Sequence, residues 1–173
     1  MKRSLLILWA VLTLAIGGGA WWYLFSAGEV PVGQRPLASE DVFREAFQKN
    51  VANTRIVALF SPTTPADLAV TQYLQGLLME YENNPLDTYV VWQPMAQSDW
   101  APTTDAMARV SDPRVRQFWD KAKAIRTLVG EGQVFVYARG AGLGNPAIRV
   151  TDWKADLPKI REFLGTPIRQ RAK

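Results

Sequence analysis

A buried-strand pattern followed by a tight loop and a helix pattern constrains the fold of this chain most. Residues 55–60 read Arg-Ile-Val-Ala-Leu-Phe, an apolar and partly β-branched run typical of central strands buried on both faces. The loop 61–65 ends at Pro65, which suits the first turn of a helix because its missing N–H costs nothing there. Apolar residues then recur at helical spacing over 66–83, and a second strand pattern follows at 88–92. Strand, helix and strand in this order predict a right-handed parallel crossover and hence an α/β fold.

The rest of the chain extends this α/β order. Ser39 is a suitable N-cap for a first helix, and Asp152 is suitable for a closing helix that Gly165 ends. A glycine-rich turn at 140–146 separates two short strand patterns and predicts an antiparallel hairpin. The predicted elements are helices over 40–52, 104–110, 112–119 and 122–128, strands over 133–138 and 147–150, and the closing helix.

The N-terminus carries a long apolar run. Residues 5–25 contain no charged side chain, and these 21 positions span about 30 Å as a helix, the thickness of a bilayer core. The basic pair Lys2 and Arg3 precedes the run and favours a cytoplasmic N-terminus, which places the remainder in the periplasm of a bacterium. Aromatic residues at the far end suit the headgroup level of the membrane: Trp21, Trp22 and Tyr23.

The same run also fits a cleaved signal peptide. Gly18-Gly19-Ala20 is a small-residue site of the kind at which such peptides are cut. The apolar residues continue past this site to Phe25, so we favour an uncleaved anchor. The glycines Gly17, Gly18 and Gly19 either let another helix backbone approach closely or form a flexible exit from the membrane.

These segments define the expected organisation of the 173-residue chain. We expect a cytoplasmic tip and transmembrane helix over 1–27 and a linker rich in glycine and proline over 28–38. One periplasmic domain is expected over 39–166, and a basic tail over 167–173. The domain is long enough to bury an ordinary core without disulfides or a structural metal.

The composition excludes several kinds of chemistry. The chain has no cysteine and no histidine, so it has no thiol catalysis, no thiolate metal site and no imidazole base. The net charge of +4 is spread over the sequence without a basic stripe that alternates with aromatic residues, which argues against nucleic-acid binding. We expect no catalytic residue, no metal and no cofactor.

Two segments resemble bacterial thioredoxin-like proteins. Members of this family place a Ser-Pro-x-Cys-x-x-Cys-type loop after the first central strand, and Ser61 and Pro62 match its start. The later segment Asp112–Asp120, Asp-Pro-Arg-Val-Arg-Gln-Phe-Trp-Asp, is the more specific match. The resemblance covers about residues 56–164 and implies a thioredoxin-like domain, with a mixed central sheet flanked by helices, after one transmembrane helix.

The resemblance also shows what has been lost. The two cysteine positions fall at about Thr64 and Asp67, and Gly130-Glu131-Gly132-Gln133 occupies the place of the family's cis-proline. A threonine hydroxyl has no redox couple and cannot replace the activated thiolate of such enzymes. The sequence therefore predicts a redox-inactive domain with a degenerate loop that comprises Ser61, Pro62, Thr63, Thr64, Pro65 and Asp67.

Three features of the domain allow a binding interpretation beside a structural one. The helix start after the degenerate loop offers free N–H groups to an anion, although a cap by Ser61 or a threonine is the simpler interpretation. Gly140 to Gly144 resembles a nucleotide-binding motif, but a strand follows it instead of a helix, so we interpret it as a hairpin loop. Trp100 lies in a polar, proline-bearing loop and either contacts a partner or folds back on its own domain.

The leading functional hypothesis is a non-catalytic single-pass subunit of a larger bacterial inner-membrane complex, with a structural or assembly role. Its partners would be other membrane-protein subunits and the lipid bilayer, and photosynthetic reaction-centre–antenna or respiratory complexes are the candidate hosts. The alternatives are a freestanding, membrane-anchored peptide- or protein-binding domain of chaperone-like type and, last, a carboxylate-dependent enzyme.

Overall fold

A computed structural model of the protein describes residues 34–36, 40–96 and 101–168. All of them belong to one of the two units into which the chain divides, Val32–Lys173. The predicted transmembrane segment and Trp100 lie outside the described residues. Within these ranges, no helix is long and apolar enough to cross a membrane.

The predicted strand–helix–strand unit forms the centre of the fold. Strand β2 (Thr54–Phe60) is followed by helix α2 (Pro65–Glu80) and strand β3 (Leu86–Trp92). The two strands pair in parallel with Ile56 opposite Thr88. From Arg55 onward every residue of β2 is buried, as the continuous apolar run predicts for a strand covered on both faces.

Six strands form one mixed sheet in the order β1-β4-β3-β2-β5-β6. The first four strands of this order are parallel, and β5 and β6 add an antiparallel hairpin next to β2. The mixed α/β sheet and the hairpin are as predicted. The four remaining strands are β1 (Gln34–Pro36), β4 (Val115–Trp119), β5 (Val134–Tyr137) and β6 (Ile148–Val150).

The prediction of a helix over 112–119 is wrong, because this segment is strand β4. Asp112 does not cap a helix of its own segment. Its carboxylate instead binds Arg114, whose guanidinium donates to the carbonyls of Leu78 and Tyr81 at the C-terminal end of α2. Asp112 and Arg114 therefore cap the C-terminal end of α2, and the chain enters the sheet directly after them.

The other helices agree with the sequence patterns in kind and differ at their ends. Asp152 caps the closing helix as predicted, because its carboxylate accepts from the backbone N–H groups of Lys154 and Ala155. Gly165 follows that helix with a φ of 73°, a left-handed conformation that favours glycine. The bounds are α1 (Glu40–Lys49), α3 (Thr104–Ala108), α4 (Ala124–Val129) and α5 (Trp153–Leu164).

The helices cover the sheet in two layers. Buried side chains of α2, α3 and α5 pack on one face of the sheet, and those of α1 and α4 pack on the other. Four apolar residues at the edges of these helical segments are exposed instead: Val42, Val51, Tyr73 and Phe163. Polar residues lie at the carboxyl ends of the parallel strands, between the two helical layers.

Candidate functional site: the carboxyl edge of the parallel strands

One polar residue directly follows each of three parallel strands. Ser61 follows β2, Gln93 follows β3 and Asp120 follows β4, and their exposed fractions are only 4%, 4% and 2%. The strand ladder continues through this row, since Gln93 N donates to Phe60 O at 2.7 Å and Asp120 N donates to Trp92 O at 2.9 Å. In open α/β sheets this carboxyl edge is where ligand sites are found.

The carboxylate of Asp67 organises the first half of this edge. Asp67 lies in the first turn of α2, where the helix dipole favours negative charge. Its Oδ2 accepts from the backbone N–H of Ser61 at 2.6 Å, and its Oδ1 accepts from Nε2 of Gln133 at 2.6 Å. Burial raises the pKa of Asp67, and these two hydrogen bonds and the positive charge of Arg126 offset part of the rise.

The loop before α2 is held by this carboxylate and by its own hydroxyl groups. Ser61 Oγ lies 3.1 Å from Thr63 Oγ1 and accepts from Thr63 N at 3.4 Å. Thr64 occupies the N-cap position in extended backbone, as expected before a proline, but its side chain makes no cap hydrogen bond. The expectation that a threonine caps this helix is therefore wrong at Thr64, and Asp67 reaches back across the loop instead.

Gln133 reaches Asp67 from the strand next to β2, because it directly precedes β5. Its backbone is fixed between two strands, because Gln133 O accepts from Leu59 N at 2.8 Å and Gln133 N donates to Val150 O at 3.1 Å. The preceding Gly132 has a φ of 138°, and a Cβ there would lie 3.0 Å from the Phe135 ring. The glycine thus permits the backbone geometry that places the glutamine amide against the carboxylate.

A second network joins the ends of β3 and β4. The Asp120 carboxylate accepts from the backbone N–H groups of Ala124 and Ile125 and from Gln93 Nε2, which lies 3.0 Å from Oδ2. Gln93 in turn accepts from Arg126 Nε at 3.3 Å. Arg126 is exposed and its charge also acts on Asp67, so it links the two networks along the edge.

Two solved structures with a similar fold carry the name thiol:disulfide interchange protein. A thiol:disulfide interchange protein assigned as DsbE from Chlorobium tepidum matches with a TM-score of 0.51 and 15% identity, over 69% of this chain and 85% of that chain. A thioredoxin-family interchange protein from Chlorobium tepidum TLS matches with a TM-score of 0.48 and 12% identity, over 68% and 84% of the two chains. The sequence matches no protein-family model and no curated protein. The chain has a thioredoxin-like fold.

The structure brings together the two segments that the sequence resemblance assigns to the redox centre, the loop before α2 and residues 130–133. Asp67, at the position expected for the second cysteine, contacts Gln133, which belongs to the segment expected in place of the cis-proline. No peptide bond of the described residues is cis. A carboxylate–amide hydrogen bond therefore joins the two segments that the resemblance assigns to the redox centre.

The predicted site residues divide into two groups. The structure brings Ser61, Thr63 and Asp67 together, with Pro62, Thr64 and Pro65 completing the loop around them. The others lie outside the described residues: Gly17, Gly18, Gly19, Trp21, Trp22, Tyr23 and Trp100.

The second network was not predicted from the sequence. Gln93 could have been found, because it is a polar residue directly after a predicted strand that joins a parallel crossover. Asp120 could not, because the strand before it was predicted as a helix. Arg126 gives no signal in the sequence, since its role depends on how α4 packs against the ends of β3 and β4.

Proposed function

We propose that this protein is a non-catalytic subunit that acts through contacts made by its thioredoxin-like domain. One observation supports this most: both oxygens of the Asp67 carboxylate are engaged by the domain's own Ser61 and Gln133. The chain also has no cysteine with which to carry out thiol–disulfide exchange. The activity named for its structural neighbours therefore does not transfer to it. The segments that correspond to the family's redox centre instead have a structural role, in which Asp67 joins the loop before α2 to Gln133.

The N-terminal sequence supports a place in a membrane assembly. The uncharged run 5–25 follows Lys2 and Arg3, the pattern of an anchor with a cytoplasmic N-terminus. In this proposal the anchor crosses the bacterial inner membrane and the domain lies in the periplasm. The anchor contacts other transmembrane helices at Gly17–Gly19, and the domain covers a neighbouring subunit of an energy-converting complex.

The engaged carboxylate also argues against the alternative of a carboxylate-dependent enzyme. A general base needs a lone pair that can reach a substrate proton. Each oxygen of Asp67 already accepts one short hydrogen bond from within the domain. Asp120 is 2% exposed and is held by Gln93 and two backbone N–H groups. Both carboxylates at the sheet edge are held by donors of the domain itself, which favours a structural role over proton transfer.

Native purification tests the proposal. The full chain is extracted from its source membrane in mild detergent at native abundance, and its size is measured by sedimentation. We expect it to sediment as part of an assembly of defined composition and to retain its N-terminal segment by intact mass. A chain that sediments alone, or a mature protein that begins at Trp21 or later, would contradict the subunit proposal.

A further inference from the structure

A shallow depression of about 530 Å³ lies beside the second polar network. Two loops line it. Pro94, Met95 and Ala96 follow β3, and Lys121, Ala122 and Lys123 join β4 to α4. Its walls therefore come from chain segments that leave the carboxyl edge of the sheet, the part of an open α/β sheet at which ligands bind.

The charge of this depression is positive. Lys121 and Lys123 are exposed, and neither takes part in an ion pair among residues 40–96 and 101–168. The adjacent carboxylate of Asp120 does not neutralise them by contact, because it is 2% exposed and accepts three hydrogen bonds from within the fold. Arg126 adds a third exposed positive side chain near this edge.

The depression also offers an apolar surface. Met95 is 66% exposed, an unusual position for a large apolar side chain, and Ala96 and Ala122 are exposed beside it. Methionine is flexible and polarizable, which suits a surface that adapts to a bound chain. The depression is open and lies between two loops, so it fits an extended segment better than an enclosed small molecule.

We propose that this surface, defined by Pro94–Ala96 and Lys121–Lys123, docks an acidic segment of a partner protein. The segment presents one or two carboxylates to the lysines and an apolar side chain to Met95. This inference rests on the proposed function, since it names the surface and the partner chemistry through which the subunit makes contact. Charge complementarity selects an acidic partner, because the described residues that line the depression include two lysines outside any ion pair of the described residues and no carboxylate.

Binding of a defined acidic peptide tests the surface. The probe is a labelled, capped pentapeptide of alternating glutamate and leucine, titrated by fluorescence anisotropy against the full chain in non-ionic detergent. We expect saturable binding that the Lys121→Glu/Lys123→Glu variant weakens about tenfold, because each reversal replaces an exposed attraction with a repulsion. The matched control Lys49→Glu/Lys154→Glu makes the same change of net charge at two exposed lysines elsewhere and should bind as the wild type does.

Further arms of the experiment identify the source of the negative charge. A peptide with glutamine in place of glutamate should not bind, and raising the salt should weaken the acidic peptide. Failure of the acidic peptide to bind, or equal weakening by both double variants, overturns the proposal. Binding of phosphatidylglycerol vesicles in place of the peptide, lost with Lys121→Glu/Lys123→Glu, overturns it in favour of a membrane contact. None of these results alters the sedimentation of the native assembly, so failure of this surface is distinct from failure of the proposed function.

Discussion

Two replacements of Asp67 separate the contribution of its charge to stability from the contribution of its hydrogen bonds. Asp67→Ala removes both acceptors and leaves the backbone N–H of Ser61, which is 4% exposed, without its partner. Asp67→Asn keeps both contacts if the Gln133 amide turns over. The oxygen of the substituted amide can accept from Ser61 N, and its NH₂ group can donate to the oxygen of Gln133. The two variants therefore differ in hydrogen bonding and agree in having no charge.

The expected magnitudes follow from these contacts. Each hydrogen bond to a charged group contributes about 1.5–3 kcal/mol to stability, and Asp67→Ala removes two of them. The substitution also removes the cost of burying the carboxylate, which offsets part of this loss. Asp67→Ala should therefore lower the free energy of unfolding by about 2–3 kcal/mol. This corresponds to a fall of about 6–12 °C in the melting temperature for a domain of this size. Asp67→Asn should remain within about 1 kcal/mol of the wild type at neutral pH.

The pH dependence gives an independent test of the same residue. Burial raises the pKa of Asp67 in the folded domain, so the folded state holds its proton to a higher pH than the unfolded chain does. The stability that this proton contributes is complete below the unfolded pKa of about 3.9 and declines as the pH rises through the folded pKa. The stability of the wild type relative to Asp67→Asn should therefore fall between acidic and neutral pH.

Thermal unfolding of the full chain in mild detergent, followed by near-ultraviolet circular dichroism at several pH values, measures these differences. Gln133→Leu serves as a second probe, because it removes only one of the two contacts of Asp67. The reasoning is refuted if Asp67→Ala melts with the wild type, or if Asp67→Asn is as unstable as Asp67→Ala.

Two further predictions concern Gly132, which precedes Gln133 of the site, and Arg114, which lies at the amino end of β4 away from the site. Gly132→Ala should lower the unfolding free energy by about 1–3 kcal/mol, because alanine disfavours a φ of 138° and its Cβ would lie 3.0 Å from the Phe135 ring. Gly144→Ala is the control, since nothing lies within 4 Å of its added Cβ; equal denaturation midpoints for the two variants would contradict this account. Arg114→Ala should cost about 2–4 kcal/mol of unfolding free energy in a urea titration of the full chain, because it breaks a partly buried ion pair with Asp112 and removes the donors to the C-terminal carbonyls of α2. Arg114→Lys should recover only part of this loss, since one ammonium cannot span both partners, and full recovery would argue that charge alone matters.

The centre of the fold could be predicted because its signals are local. The run 55–60 and the spacing over 66–83 specify a strand and a helix without reference to distant residues. Strand β4 gave a misleading signal, because Asp112 before a proline is also a helix start and Gln117 interrupts its apolar pattern. Gln117 is tolerated in the sheet because it donates to the carbonyls of Met107 and Val110 and accepts from Trp92 Nε1. Such compensation depends on tertiary contacts that the pattern does not contain.

The candidate site was predictable to the extent that it is local. Ser61 and Asp67 are six residues apart, and the loop between them was recognised from its resemblance to a redox loop. The contact between Asp67 and Gln133 joins residues that are 66 positions apart. It depends on the register of the hairpin against β2, in which Ala58 lies opposite Val134, and the sequence pattern does not define that register.

Occupancy of Asp67→Asn in the native assembly tests the central claim most directly. The variant replaces the wild-type gene, the membranes are extracted in mild detergent, and the amount of the chain in the assembly is measured by quantitative mass spectrometry against a companion subunit. If the domain acts through its contacts and the Asp67 site has a structural role, Asp67→Asn should be retained at the wild-type ratio and the assembly should keep its activity. Loss of that activity with normal folding and full occupancy would show that the carboxylate itself has a chemical role, and would contradict the account.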